Sequence, residues 1–455
     1  MKIDRRRLFA AFAGAASASA ATPARARARD GQDGDAMPRA EIDAAVLGLR
    51  PNSAEDQSQA FQRAIERAAA ARGVLRLAPG VYRAGSLQLP PFAAIAGVAG
   101  ATRIVMAGGP SMMSSTGGDH IALSGLVLDG ANIPLPEGRG LLHLAQGRAV
   151  RVADCEIVNA GRNGMTLEAI AGEVTGNTVS AADYAIFSND ARGLRIAGNT
   201  VRDAGNGGIL VWRGTSGDDG TLVIDNRIED IANKSGGSGQ YGNAINVFRA
   251  DNVIVRGNRI RHAAYSAVRG NTASNIQIVG NTCSGLGETA IFVEFGFQGA
   301  VVANNIIDVA AAGVGVANFK EDGRLAVVQG NLIRNLIRGR PDGGNAAALG
   351  IGVEADTVVN ANVIENVQGI GIQAGWGPYL RNVAVTANIV RGTDYGITVS
   401  VVPGAGTAVV ANNIVSDSRL GAIVGTEWNK VVAQDLDGDG GERYTQLSIG
   451  GNSVR

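Results

Sequence analysis

The residues of this chain best suited to chemistry are Arg269, Glu294 and Tyr265, with Asn246, Asn271, Trp212, Phe292 and Arg249 around them. An arginine holds a sugar carboxylate through two parallel hydrogen bonds, and side-chain amides bond sugar hydroxyls. Aromatic faces stack on sugar rings. In a β-elimination, Arg269 would pair with the substrate carboxylate and ease removal of its α-proton, while a phenolic group such as Tyr265 moved that proton. A hydrolase needs two carboxyl groups flanking the bond, and Glu294 has no obvious second acid on an adjacent repeat, since Glu354 lies further along. Lyase or epimerase chemistry therefore ranks ahead of hydrolysis, with an acidic polysaccharide as substrate. The alternative is a solvated face with ordinary cross-strand ion pairs, on a non-catalytic envelope or extracellular protein that binds glycan or a surface partner.

What must position these residues is a repeat. Eleven windows read V-x-x-N-x-I with conservative exchanges, centred on Asn177, Asn199, Asn226, Asn258, Asn281, Asn304, Asn331, Asn362, Asn388, Asn412 and Asn452. A basic spacing of about 22 to 24 residues, stretched by insertions, is the signature of a solenoid. Midway between successive asparagines a second short strand recurs, as in Ala244-Ile245, Ala267-Val268 and Ala290-Ile291. Its apolar residues alternate at period two, so one face is buried. If Ile245, Val268 and Ile291 point inward, then Asn246, Arg269 and Phe292 point outward, with Phe248, Asn271 and Glu294 outward two residues on. Arg269 and Glu294 then lie diagonally on neighbouring rungs, within reach of each other. The Gly/Ser-rich insertion Ser235 to Asn243, carrying Tyr241, is placed to form a rim.

Sixty-five glycines with 4% aromatics suit a chain of tight turns and small stacked side chains. Lys+Arg and Asp+Glu both number 41, so net charge points to neither nucleic acid nor membrane as partner. Residues 1 to 24 read as a targeting segment: Asp4-Arg5-Arg6-Arg7-Leu8-Phe9 precedes a small-residue apolar stretch too weakly apolar to remain in a membrane. Residues 25 to 40 form a charged leader, 41 to 110 a cap with the first coils, and 111 to 455 the repeats. Cys155 and Cys283 lie five coils apart, beyond disulfide reach, and read as core thiols. Ser53 with Asp56 resembles a capping box, followed by Phe61, Ala64, Ile65, Ala68 and Ala69 at helical spacing until Gly73. Such a helix would close the open end of the solenoid.

The run Asp56-Gln57-Ser58-Gln59-Ala60-Phe61-Gln62, with Ala64-Ile65 and then Leu77-Ala78-Pro79-Gly80-Val81-Tyr82, resembles the N-terminal cap and first coil of pectate-lyase-superfamily proteins. Together with the arginine leader and the asparagine windows, the whole chain resembles the twin-arginine-translocated repeat proteins. That resemblance implies an all-β right-handed parallel β-helix of about 12 to 14 coils with a capping helix, exported to the periplasm or beyond. It implies no single activity, because the superfamily holds lyases, hydrolases, epimerases and silent adhesins. The G-H-G and R-I-K motifs of polygalacturonase-like hydrolases are absent. Of the three histidines, His120, His143 and His262, the second sits between leucines and reads as a satisfied structural residue.

Near the end, Asp435-Leu436-Asp437-Gly438-Asp439-Gly440 matches D-x-D-x-D-G, in which alternate carboxylates converge on a hard cation. Position twelve is Gln446 rather than a bidentate glutamate. Calcium at Asp435, Asp437 and Asp439 is one reading and a plain acidic turn the other. No other cofactor is implied.

Overall fold

The structure is a computed structural model that describes residues 40–237, 239–339, 347–438 and 440–455. The arginine-rich leader lies outside the described residues. From residue 41 onward short strands stack coil upon coil. One sheet of 16 strands takes one strand from each successive coil. A second set of 23 strands covers the other faces, and its members pair in parallel except at the hairpin where Glu427 opposes Lys430. Parallel stacking of this kind needs apolar residues in register inside each coil, and Ile245, Val268, Ile291 and Val314 supply them as one buried column.

The asparagine windows form a buried ladder. Asn258, for example, donates both its backbone N–H and its Nδ2 to Asn281 Oδ1, each at 3.0 Å, and donates Nδ2 to the Val223 carbonyl at 2.9 Å. Two positions differ from the sequence reading: the ladder runs through Asn305 and Asn413, not Asn304 and Asn412. A doubled asparagine permits two frames one residue apart, and the core decides between them. Val302 and Ile307 fill the interior, whereas Ile306 is exposed; Asn304 takes the left-handed turn beside the ladder. Cys155 holds the place before the first rung, its N–H donated to Asn177 Oδ1. Both cysteines are free and buried, and burial pushes their thiols up to about 11 for Cys155 and about 12 for Cys283, which disfavours the thiolate.

The capping helix spans Ser58–Ala70 and buries Phe61, Ala64, Ile65, Ala68 and Ala69 over the first coil, with Phe61 edge-on to Tyr82. It begins later than the Ser53 capping box predicts. Asp56 bridges to the strand at Arg83, and Gln57 is tied by its side chain to both backbone groups of Arg50, which holds residues 53 to 57 out of the helix. Ser53 caps only a local turn at Glu55.

Candidate functional site

Three neighbouring strands, Asn243–Asp251, Val268–Asn271 and Thr282–Glu294, carry the polar cluster. Their register pairs Asn246 with Arg269 and Phe248 with Asn271, then Arg269 with Phe292 and Asn271 with Glu294. This is the arrangement the alternation predicts. The face is not solvated, however. Asn246, Arg269 and Glu294 are only 5%, 9% and 3% exposed, because the segment around Gly239 and Gln240 folds over them.

Arg269 is held at two of its three nitrogens. Its Nε donates to Glu294 Oε1 at 2.6 Å, and its Nη1 donates to Glu288 Oε2 at 3.4 Å and to the Gly239 carbonyl at 3.0 Å. Asn271 Nδ2 adds a bond to Glu294 Oε1 at 3.2 Å, and the guanidinium lies over the Phe292 ring. Two carboxylates thus face one guanidinium, so the formal charge of the cluster is negative. Gly239 is required where it stands: φ is +137°, and a Cβ would fall 1.8 Å from Arg269 Nη1. Glu288 is the second acid that sequence reasoning misses. It precedes the alternating strand positions and has no counterpart in the row, so periodicity carries no signal for it.

Beside this cluster is a cavity of about 420 Å³ lined by Trp212, Asn246, Phe248, Arg269, Asn271 and Phe295, with Gly239 and Gln240 at its rim. Phe187, Trp212 and Phe248 follow one another edge to face at 5.3 and 5.5 Å. Asn246 Oδ1 and Trp212 Nε1 have no hydrogen-bond partner.

Tyr265 does not join the cavity wall. It is buried, and its hydroxyl donates to the Gly237 carbonyl at 2.8 Å, which makes it a post under the rim segment. Arg249 and Phe292 also lie outside the wall: Arg249 donates to the Gly214 carbonyl and covers the Phe248 ring, while Phe292 packs over Gly315. His143 is buried, and burial lowers its pKa. Its Nε2 stands 3.7 Å from Glu168 while Nδ1 has no partner, so it is not the fully satisfied residue its leucine neighbours suggest.

Asp435 Oδ1 accepts the N–H groups of Asp437 and Gly438, an Asx turn. Asp437 Oδ1 accepts from Asn452 Nδ2 at 2.8 Å, at the last rung of the ladder. Asp439 lies outside the described residues. Among the described residues no group of three or more His, Cys, Asp and Glu is placed to hold a metal ion.

A family model of the right-handed β-helix region matches residues 113–228 and 173–333. The chain folds as a right-handed parallel β-helix. It is 34% identical over 140 residues to the probable ABC transporter binding protein NosD of Pseudomonas aeruginosa, a stretch covering 30% of this chain and 26% of that relative. Only about a quarter of that protein is therefore spanned. Among solved structures, the A-module of the mannuronan C-5 epimerase AlgE6 from Azotobacter vinelandii aligns over 91% of this β-helix and 99% of its own chain, at 15% identity and a TM-score of 0.46. The surface adhesin PfbA of Streptococcus pneumoniae aligns over 86% of this chain and 93% of its own, at 13% identity and a TM-score of 0.43. At these values the likeness is one of fold.

Proposed function

We propose that this β-helix binds polysaccharide through the cavity between Trp212, Phe248 and Asn246. The observation that carries the reading is the pairing of aromatic walls with two unpartnered polar groups, Asn246 Oδ1 and Trp212 Nε1. A sugar offers an apolar ring face to the first and hydroxyls to the second, as buried binding sites require. The Arg269 guanidinium is held by Glu294 and Glu288, so the cavity suits hydroxyl recognition better than a carboxylate clamp.

Catalysis on an acidic polysaccharide, by elimination or epimerisation, is the second reading, and it is kept because Arg269 and Asn271 both line the cavity. It requires a substrate carboxylate to take the donors of Arg269 Nη2 or to displace Glu294 from Nε. Export by the twin-arginine route to the periplasm or beyond belongs to the same proposal. Among the described residues no helix is long and apolar enough to cross a membrane.

Titration calorimetry against a panel of neutral and uronate polysaccharides tests the binding reading. Affinity that Trp212→Ala removes supports it; silence on every polymer refutes it. Ultraviolet absorbance of unsaturated ends, together with product NMR for inverted C-5 centres, decides the catalytic reading.

A further inference from the structure

The outward row that carries Asn246 and Arg269 continues through Phe292, Gly315, Gly352, Gln373 and Thr398 in unbroken register. Arg269 and Gln373 are four rungs apart, about 19 Å along the axis. At that distance a second cavity opens, of about 220 Å³, with Gln373, Trp376, Thr398 and Trp428 among its walls. Between the cavities the row presents no long polar side chain: the Phe292 ring lies against Gly315, and Leu349 against Gly352.

The second cavity is built around its aromatics. Trp428 stands at the tip of the hairpin between Glu427 and Lys430, with φ +54°, and meets Trp376 edge to face at 5.5 Å. Gly377 admits it, since a Cβ there would come within 2.5 Å of the Trp428 ring. Nevertheless Trp428 is 49% exposed and neighbouring Leu420 56% exposed, an apolar patch left facing solvent at the cavity mouth. Inside, Thr398 is 1% exposed and its Oγ1 has no hydrogen-bond partner.

Charge distinguishes this cavity from the first. Asp394, 4% exposed, lines this cavity with Arg338 and is bonded by Arg338 Nη2 at 2.6 Å, while Arg419, which lines the adjoining groove, bonds Asp394 from outside. Among the described residues two guanidiniums here share one carboxylate, the reverse of one guanidinium between Glu288 and Glu294. Each arginine has five N–H donors, and both side chains are well exposed, so donors remain for an incoming anion. On the hairpin, Lys430 is set opposite Glu427 and the two offset each other.

We infer that the Trp376–Trp428 cavity is a second saccharide site, selective for an acidic sugar such as a uronate, whose carboxylate is taken by Arg338, with Arg419 offsetting the charge of Asp394 from outside the cavity, and whose hydroxyl is taken by Thr398. The inference rests on the polysaccharide reading of the first cavity and extends it: one polymer running along the axis would meet a site for a neutral sugar and then a site for an acidic one.

The chain has three tryptophans, and all of them stand at these two cavities. Trp212→Phe therefore leaves fluorescence that reports the second site alone, and Trp376→Phe with Trp428→Phe leaves a reporter of the first. The probes are tetragalacturonate and tetramannuronate against cellotetraose and maltotetraose. In the Trp212→Phe protein the uronates quench with an affinity at least about tenfold above the neutral sugars, and Arg338→Gln with Arg419→Gln removes that preference. No quenching, equal quenching by neutral sugars, or a preference that survives the arginine changes overturns the inference. If the double arginine variant does not fold, Thr398→Val takes its place and must weaken uronate binding by roughly threefold to tenfold. Neutral sugars acting on Trp212 in the other variant test the first cavity separately, so either site can fail while the other stands.

Discussion

Arg269 and Glu294 sit on adjacent rungs and meet at 2.6 Å, Nε to Oε1, beneath a segment that excludes water from both. A buried pair of this kind is costly to break from one side, because the remaining charge stays desolvated. Glu294→Ala should lower the unfolding free energy by about 3 kcal/mol in urea, softened where Glu288 takes up the guanidinium. Glu294→Gln should cost less and at the same time release Arg269 toward solvent ligands. Uronate binding at the first cavity is then expected to rise in that variant, and calorimetry with tetragalacturonate reads the gain.

Asn246 allows a cleaner separation of binding from folding. Its Oδ1 bonds nothing, and its Nδ2 makes one long contact of 3.4 Å to the Gln240 carbonyl. Asn246→Ala is expected to shift stability by no more than about 1 kcal/mol while weakening glycan affinity roughly fivefold to tenfold. Urea melts and calorimetry on the same preparation check both halves.

Much of this site is legible in the amino-acid sequence. Coil spacing aligns Ile245, Val268 and Ile291, and strand alternation then sets Asn246, Arg269, Asn271 and Glu294 on the outer face in the register observed. Periodic signals end where the chain stops repeating. Glu288 and the carbonyl of Gly239 lie outside the strand alternation, yet they decide whether Arg269 is free. The place of Tyr265 in the sequence suggests a proton carrier, whereas the rim segment claims its hydroxyl. The frame at Asn304-Asn305 is ambiguous for a different reason: both registers satisfy the motif, and only packing of Val302 and Ile307 separates them.

That frame yields a paired test. Asn305→Ala strips the acceptor that serves both Asn281 N–H and Asn281 Nδ2, leaving two buried donors unmet. A loss on the order of 2 to 4 kcal/mol is expected. The neighbouring Asn304→Gly, at a left-handed turn with φ +57°, should change stability by less than about 1 kcal/mol. Asn281→Ala should resemble Asn305→Ala and leave glycan affinity unaltered. Thermal melts of the three proteins rank them, and equal melting of the two neighbours would put the ladder in the wrong frame.

Asp356 sets an acid limit. The Arg381 guanidinium bonded to it, helped by Asn382 and the charge of Arg324, holds its carboxyl below the ordinary aspartate value of 3.8. A folded-state pKa below the unfolded one means that the stabilisation is complete above the unfolded value and disappears as the pH falls through the folded one. Asp356→Asn should therefore be less stable than the parent at neutral pH, and the two should converge as the pH drops below about 3.8 and onward. Urea midpoints across that range supply the check, and a gap that widens on acidification would reverse the assignment.

Asp437 separates two roles that its motif runs together. Its Oδ1 accepts from Asn452, which is the final ladder amide and has no further asparagine to bond. A carboxylate there meets the last ladder amide as Cys155 meets the first, through a hydrogen bond. Calcium, proposed from the alternating Asp435, Asp437 and Asp439, would have to use the oxygens left over from that bond and from the Asx turn of Asp435. Asp437→Ala is expected to lower stability by about 1 kcal/mol in the presence of a chelator, because one N–H of Asn452 Nδ2 loses its acceptor whether or not metal is present, the other staying on the Val410 carbonyl. Calcium titration of the parent protein then reads the other role by itself: heat that the same substitution abolishes would add a cation to the cap, and an unchanged stability in chelator would remove the cap.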